Sequence, residues 1–265
     1  MKVLFIGDIV GRAGRKITGS LVPLIIEREK IDLTVANGEN AAGGVGITAD
    51  IAHQIFSAGV AFITLVNHTW QRKEVLDIID NPNIVRPANY PPGVPGKGYA
   101  VHRIDDRTSI AIINLLGRVY MSTVDCPFRS ADAMIEKLRA QGIRNIIVDF
   151  HAEITSEKTA LGWYLDGKVS AVLGTHTHVQ TADERILPGG SAYITDVGMT
   201  GSRDSIIGVK KEIVLKRYLT QMPMEFEVAM DDLFLSGVIV DIDEASGKAR
   251  DIKRIFEPYA ESGGR

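Results

Sequence analysis

The sequence predicts an α/β fold in which two packed, mixed β-sheets are flanked by helices, and three observations carry that expectation. Short apolar runs, each long enough for one buried strand, recur along the chain and alternate with segments of helical apolar spacing. Two strand-like runs, Tyr99 to Arg103 and Ser109 to Leu115, have no helix between them, and the last third alternates apolar with polar residues, as antiparallel strands do. Polar residues able to bind ions stand repeatedly just past the apolar runs, where open α/β sheets keep their ligand sites.

The 265 residues, 45% of them hydrophobic, suffice for one large core, and no linker, repeat or low-complexity tract divides the chain, so residues 1–265 are expected to form a single domain. A formal charge of -3 gives no general attraction to nucleic acid or to an anionic membrane. Cys126 is the single cysteine, which excludes an intramolecular disulfide and leaves no thiolate zinc site; a reducing cytoplasm fits. The run Met1 to Gly7 is too short for a signal-peptide core or a membrane span and reads as a first strand.

In chain order, the first strand meets Asp8 in a glycine-flanked turn, and Ile17 to Lys30 has the spacing of a helix lying on a sheet. Asp32 to Ala36 is a second buried strand, ending in Asn37-Gly38-Glu39-Asn40. Helix Ala49 to Ser57 leads to strand Ala61 to Leu65, which runs into Asn67-His68. Arg72 to Ile79 reads as a short helix and Ile84 to Pro87 as a short strand closed by its proline. After the expected hairpin, helix Ala131 to Gln141 precedes strand Asn145 to Phe150 and then His151. Thr155 is expected to cap helix Ser156 to Trp163. Strand Val169 to Leu173 delivers Gly174-Thr175-His176-Thr177-His178; in an extended segment the two histidines would emerge on one face. Ala192 to Thr195 is a further strand, Lys211 to Tyr218 a helix, and Met224 to Val228, Leu235 to Asp241 and Ala249 to Phe256 are expected to complete a second sheet.

Asp8, Glu39, Asn40, Asn67, His151, His176 and His178 thus supply seven oxygen and nitrogen ligands at strand ends, more than one metal needs. Such a set without thiolate suits manganese, iron or zinc, and two ions about 3.5 to 4 Å apart form the usual clamp for phosphoester hydrolysis. Glu39 is the candidate bridge, because it adjoins Asn40 and can face both sites. His53 and His102 lack such neighbours and read as structural.

On the segments Gly7-Asp8-Ile9-Val10-Gly11, Asn37 to Ala42, Asn67-His68-Thr69-Trp70, Arg86-Pro87-Ala88-Asn89, His151-Ala152-Glu153, Gly174 to Asp183 and Thr195 to Gly201, the chain resembles the YmdB-like metallophosphoesterases of the calcineurin-like superfamily, which include 2′,3′-cyclic nucleotide phosphodiesterases. The resemblance spans nearly the whole chain. It implies the calcineurin-like metallophosphoesterase fold and a dinuclear centre of two divalent or mixed-valence ions, iron or else manganese. Asp8, Glu39, Asn40 and His178 would hold one ion and Glu39, Asn67, His151 and His176 the other, with His68 as proton donor. The expected chemistry is in-line attack of a metal-bound hydroxide on phosphorus while His68 protonates the leaving ribose oxygen. The expected partner is a small phosphodiester or cyclic nucleotide, with no stable nucleic-acid or membrane binding and a homo-oligomer left open. Two departures stand out: where the family reads Gly-Asn-His-Thr-Trp-Asp, this chain has Val66 and Gln71 in place of the glycine and the aspartate. A valine tolerates positive φ poorly, and glutamine carries no charge to support an imidazolium. The alternatives are a phosphomonoesterase or nuclease on the same centre, or a weakly active, metal-bound regulatory protein.

Overall fold

The computed structural model describes residues 1–260, and the elements follow from the patterns above. Strands β1 (Lys2–Ile6) and β2 (Asp8–Ile9) precede helix α1 (Gly11–Glu29), then come β3 (Leu33–Asn37), α2 (Ala49–Ser57) and β4 (Phe62–Thr64). A 3-10 turn over Lys73–Asp77 precedes β5 (Ile84–Val85), β6 (Tyr99–Arg103), β7 (Ser109–Leu116), α3 (Pro127–Ala140), β8 (Asn145–His151), α4 (Thr155–Leu165) and β9 (Ala171–Thr175). The chain continues through β10 (Arg185–Ile186), β11 (Ala192–Ile194), β12 (Met199–Ser202), α5 (Lys211–Thr220), β13 (Leu233–Ile242) and β14 (Ala249–Pro258).

One sheet runs β2-β12-β13-β1-β3-β4-β5, with β14 on β13, and the other runs β10-β11-β9-β8-β7-β6. Both are mixed: β1, β3, β4 and β5 are parallel while β13 is antiparallel to β1, and β7, β8, β9 and β11 are parallel between antiparallel edges β6 and β10. The period of two explains the layers. In β1, Val3 and Phe5 pack between the sheets with Ile112 and Ile147, whereas Leu4 and Ile6 pack under α1 with Ile17 and Ile25. In β8, Ile147 faces the same seam and Ile146, Val148 and Phe150 face α3 and α4. Asp149 and His151 continue the Ile147 side, so the inner face of β8 turns from apolar to polar at its carboxyl end.

Four expectations are corrected. The carboxyl-terminal strands do not build the second sheet: β13 returns to β1 and brings β12 and β14 into the first sheet, since alternation shows antiparallel pairing without naming the partner. Met224 to Val228 is not a strand; Val228 makes a lone bridge to Val209. Helix α1 begins at Gly11, where Gly14 packs against the Thr200 carbonyl with no room for a side chain. Thr155 lies inside α4, whose flanking residue is Ile154 and which has no side-chain cap. Among the described residues, no helix is long and apolar enough to cross a membrane.

Candidate metal centre

The carboxyl ends of β1, β3 and β4 in one sheet and of β8 and β9 in the other meet at one mouth of the seam. Glu39 stands at its middle, 1% exposed, and makes contacts in both directions. Its Oε2 accepts the His68 backbone N–H at 2.9 Å; its Oε1 lies 3.1 Å from His151 Nε2 and accepts from Asn40 Nδ2 at 3.3 Å. On one side His176 Nδ1 approaches His151 Nε2 at 2.8 Å. On the other, His178 Nε2 sits 3.1 Å from Asn40 Nδ2 and 3.8 Å from Asp8 Oδ1.

The two histidines of the His-x-His stretch therefore diverge. β9 ends at Thr175, and His176 (φ 105°) and His178 (φ 65°) both take left-handed backbone, so the extended geometry expected of them is not found. Thr177 between them is held by buried Asp196, which accepts its backbone N–H at 2.9 Å and its hydroxyl at 2.7 Å. Asp196 also pairs with buried Lys158 at 2.7 Å. Left-handed conformations cost L-residues energy, and here anchored contacts hold them at the place where the side chains must part. Gly174 makes the approach possible, because a Cβ there would lie 1.8 Å from the Thr195 carbonyl oxygen.

The partners of each imidazole assign its proton. Thr175 donates its single hydroxyl proton to Asp149 at 2.8 Å, so it accepts from His151 Nδ1 at 2.8 Å, and His151 Nε2 is bare. His176 donates from Nε2 to Glu153 at 2.8 Å, leaving Nδ1 bare. His178 donates from Nδ1 to the Ile207 carbonyl at 3.0 Å, leaving Nε2 bare. Three lone pairs and the Glu39 carboxylate thus converge with too few protons between them. The Oδ1 atoms of Asp8 and Asn67 are also buried without any hydrogen-bond partner.

The charges agree. Burial lifts the Asp8 carboxyl well above the usual carboxylate range, and the negative charges of Glu39, Asp196 and Asp149 add to the lift. Burial likewise raises Asp149 to about 7. Burial drives His151 down to about 4 and lowers His178, so neither imidazole is cationic at neutral pH. Burial pushes the Glu39 carboxyl up, but His151 and then His68, when protonated in acid, outweigh it and draw it below the usual carboxylate range, so Glu39 is ionised at neutral pH. A buried cluster that is negative, donor-poor and rich in nitrogen and oxygen lone pairs is one that a cation satisfies. Glu39, His151 and His176 alone bring ligand atoms within 4.8 Å of one another, close enough to hold one metal ion.

Six of the seven expected ligands are brought together in this way. Asn67 is set apart: among the described residues no hydrogen bond joins it to the other six, although its orphaned oxygen fits a ligand's role. Asn40 presents its amide nitrogen to His178 while its Oδ1 accepts from His68 Nδ1 at 2.7 Å, so ligation by Asn40 needs the amide turned over. His68 is part-exposed and keeps Nε2 free of protein partners among the described residues. The surroundings of Val66 and Gln71 bear on the two departures. Val66 is fully buried and is not among the residues with positive φ, so it does not strain the loop. Its carbonyl accepts from Tyr90 at 3.0 Å and from Thr69 at 2.6 Å. Gln71 is exposed and meets His68 only through its own backbone N–H, at 3.1 Å from the His68 carbonyl. The anion beside His68 Nδ1 is Glu39, at 3.6 Å. Sequence reasoning did not single out Asp149, Thr175, Glu153, Asp196, Lys158 or Ile207. Asp149 had a local signal, two positions before His151 on one strand face, and Glu153 and Asp196 stand in segments that carry the resemblance.

Fold and site together place this chain among proteins of the calcineurin-like metallophosphoesterase fold. A 5′-nucleotidase precursor from Thermus thermophilus shares that fold at a TM-score of 0.60 and 13% identity, over 97% of this chain and 54% of its own. The chain belongs to the YmdB-like protein family, whose sequence model matches residues 4–255. It is 51% identical over 257 residues to the 2′,3′-cyclic-nucleotide 2′-phosphodiesterase of Bacillus subtilis, covering 97% of both chains. It also superposes on a novel phosphatase from Mycoplasma pneumoniae with a TM-score of 0.91 and 35% identity, over 97% of this chain and 93% of that one.

Proposed function

We propose that this chain is a cytoplasmic, single-domain phosphodiesterase that hydrolyses 2′,3′-cyclic nucleotides or similar small phosphodiesters at a centre of two metal ions, iron or manganese. The observation that carries the reading is the convergence of bare imidazole nitrogens and buried carboxylate oxygens beside His68. The contacts divide about Glu39: Asp8, Asn40 and His178 would hold one ion and His151 and His176 the other, with Glu39 shared, and Asn67, which has no hydrogen bond to these six among the described residues, would join the second through its unpartnered Oδ1. Bound there, the ions would supply Lewis acidity toward phosphoryl oxygens and a water nucleophile at neutral pH.

The side chains do the rest. His151, His176 and His178 are each fixed in one tautomer by Thr175, Glu153 and Ile207, so the bare nitrogens are presented without reorganisation. With the Asn40 amide turned over as ligation needs, its Nδ2 would donate to His68 Nδ1, so that Nε2 would carry the proton passed to the leaving sugar oxygen. The Thr69 and Tyr90 contacts to the Val66 carbonyl clamp the loop that carries it. The likeness to the Bacillus subtilis enzyme supports the substrate class.

The test is a panel of 2′,3′-cyclic nucleotides, nucleoside monophosphates and RNA offered to metal-reconstituted protein. Hydrolysis of the cyclic nucleotides ahead of the others is the expected result. Preferential release of phosphate from monoesters would replace the reading with a phosphomonoesterase on the same centre.

A further inference from the structure

A cavity of about 330 Å³ adjoins the centre and has two unlike walls. One wall is the polar group already described, with His68, His176 and His178. The other is Val45, Ile207, Phe226 and Val228. Hydrolysis of a phosphodiester makes no use of apolar surface at its phosphate, yet Val45, Ile207 and Phe226 are 38%, 54% and 46% exposed beside a charged centre. Exposed apolar groups gathered in a concavity mark a ligand surface.

Phe226 is the flat element of this wall. Its ring lines both this cavity and a neighbouring one, of about 350 Å³, in which Arg217 stands over it with the guanidinium carbon 5.0 Å from the ring centroid. Phe226 thus borders both spaces, and the cation over its ring belongs to the lining of the second and not of the first, which leaves the centre's side for another partner. The wall is firmly built. Arg72 holds the loop that carries Val45, donating to the Val45 carbonyl at 3.2 Å and the Ala42 carbonyl at 3.1 Å. Ile207, a β-branched residue at φ 48°, is tied to the centre by its carbonyl bond to His178.

We infer that this apolar wall, with Phe226 as its stacking face, is the subsite for the nucleobase of the substrate. The inference rests on the 2′,3′-cyclic nucleotide reading above. In such a substrate the base is attached to the sugar carbon next to the one bearing the 2′-phosphoester oxygen, so it lies one furanose ring from phosphorus and falls in the space adjoining the centre. The one ionic side chain on that wall, Glu227, is paired with Lys210 at 2.5 Å, so the subsite holds a base by its face and not by its edge. Adenine, guanine, cytosine and uracil should therefore be accepted with similar KM, because every base offers a π-face.

The experiment compares adenosine 2′,3′-cyclic phosphate with methyl riboside 2′,3′-cyclic phosphate, which lacks a base, on metal-loaded parent, Phe226→Ala and Phe226→Trp. Aromatic stacking on one base corresponds to about 5- to 150-fold in binding. The parent's KM should favour the nucleotide by a factor in that range, Phe226→Ala should lose that preference, and Phe226→Trp should keep it. A parent with equal KM for the two substrates, or a preference that survives Phe226→Ala, overturns the subsite while leaving the phosphodiesterase reading intact. Calorimetric titration with adenosine 2′-monophosphate and with inorganic phosphate separates the other failure. A parent that hydrolyses neither cyclic phosphate but binds the nucleotide more tightly than phosphate in a Phe226-dependent manner upholds the subsite and removes the phosphodiesterase reading. Equal binding of the two overturns the subsite.

Discussion

Asp8→Asn should stabilise the metal-free protein and at the same time remove its response to metal. Asp8 is fully buried, its Oδ1 has no hydrogen-bond partner, and burial together with the charges of Glu39, Asp196 and Asp149 disfavours its ionised form. A buried polar group left unpaired costs about 1 to 3 kcal/mol, and asparagine, of nearly the same shape, can place an amide donor where Oδ1 has no partner, facing the bare His178 Nε2 3.8 Å away. At about 2 to 4 °C per kcal/mol for a chain of this size, the metal-free variant should melt about 2 to 12 °C above the metal-free parent. With metal the order reverses in what is gained. A ligand at 100 times its Kd stabilises the parent by about 2.7 kcal/mol, and if Asp8 is a ligand as proposed the variant should gain much less. The assay is thermal unfolding of both proteins after chelation and again with added Mn²⁺. Metal-free Asp8→Asn melting below the parent, or the same metal-induced rise in both, would refute the argument that Asp8 is held in place for a cation.

Four further outcomes follow from the same geometry. Thr175→Val breaks the Asp149–Thr175–His151 chain and should lower metal affinity about 10- to 100-fold, read by competition with a chelating dye. His68→Ala should keep its metal yet lose about 10² to 10⁴ in kcat on an alkoxide-like leaving group, and less on p-nitrophenolate; loss of metal would make His68 a ligand instead. Asp149, raised to about 7 in the folded chain from 3.8, contributes stability that is full below pH 3.8 and is lost as pH rises through 7. The metal-free melting advantage of Asp149→Asn over the parent should therefore grow from pH 5 to pH 8. Val66→Gly should lower stability without improving metal occupancy, since Val66 is buried in ordinary backbone geometry.

The alternation of apolar runs with helical spacing made most elements legible, and the polar residues just past those runs made the mouth of the seam legible too. What local patterns lacked was partner identity. Leu235 to Asp241 reads as an antiparallel strand, but the pairing of β13 with Lys2 to Ile6 is a contact across most of the chain. The His-x-His stretch has the spacing of a ligand pair, yet its divergence depends on Asp196, far along the chain, holding Thr177. The alternation of Met224 to Val228 is genuine but serves a pocket wall, with Phe226 and Val228 both lining the cavity beside the centre. At Gln71 the family pattern pointed to a missing anion, whereas Glu39, 29 positions before His68 in sequence, already stands beside the His68 ring.

The central claim is that the buried lone pairs around Glu39 exist to hold metal and that hydrolysis depends on it. Elemental analysis of purified protein, paired with its rate on a 2′,3′-cyclic nucleotide before and after chelation, tests this most directly. The account predicts close to two ions per chain, a rate abolished by chelation and restored by added metal, and both quantities reduced in His176→Ala. Metal-free protein hydrolysing the cyclic nucleotide at the full rate would contradict it.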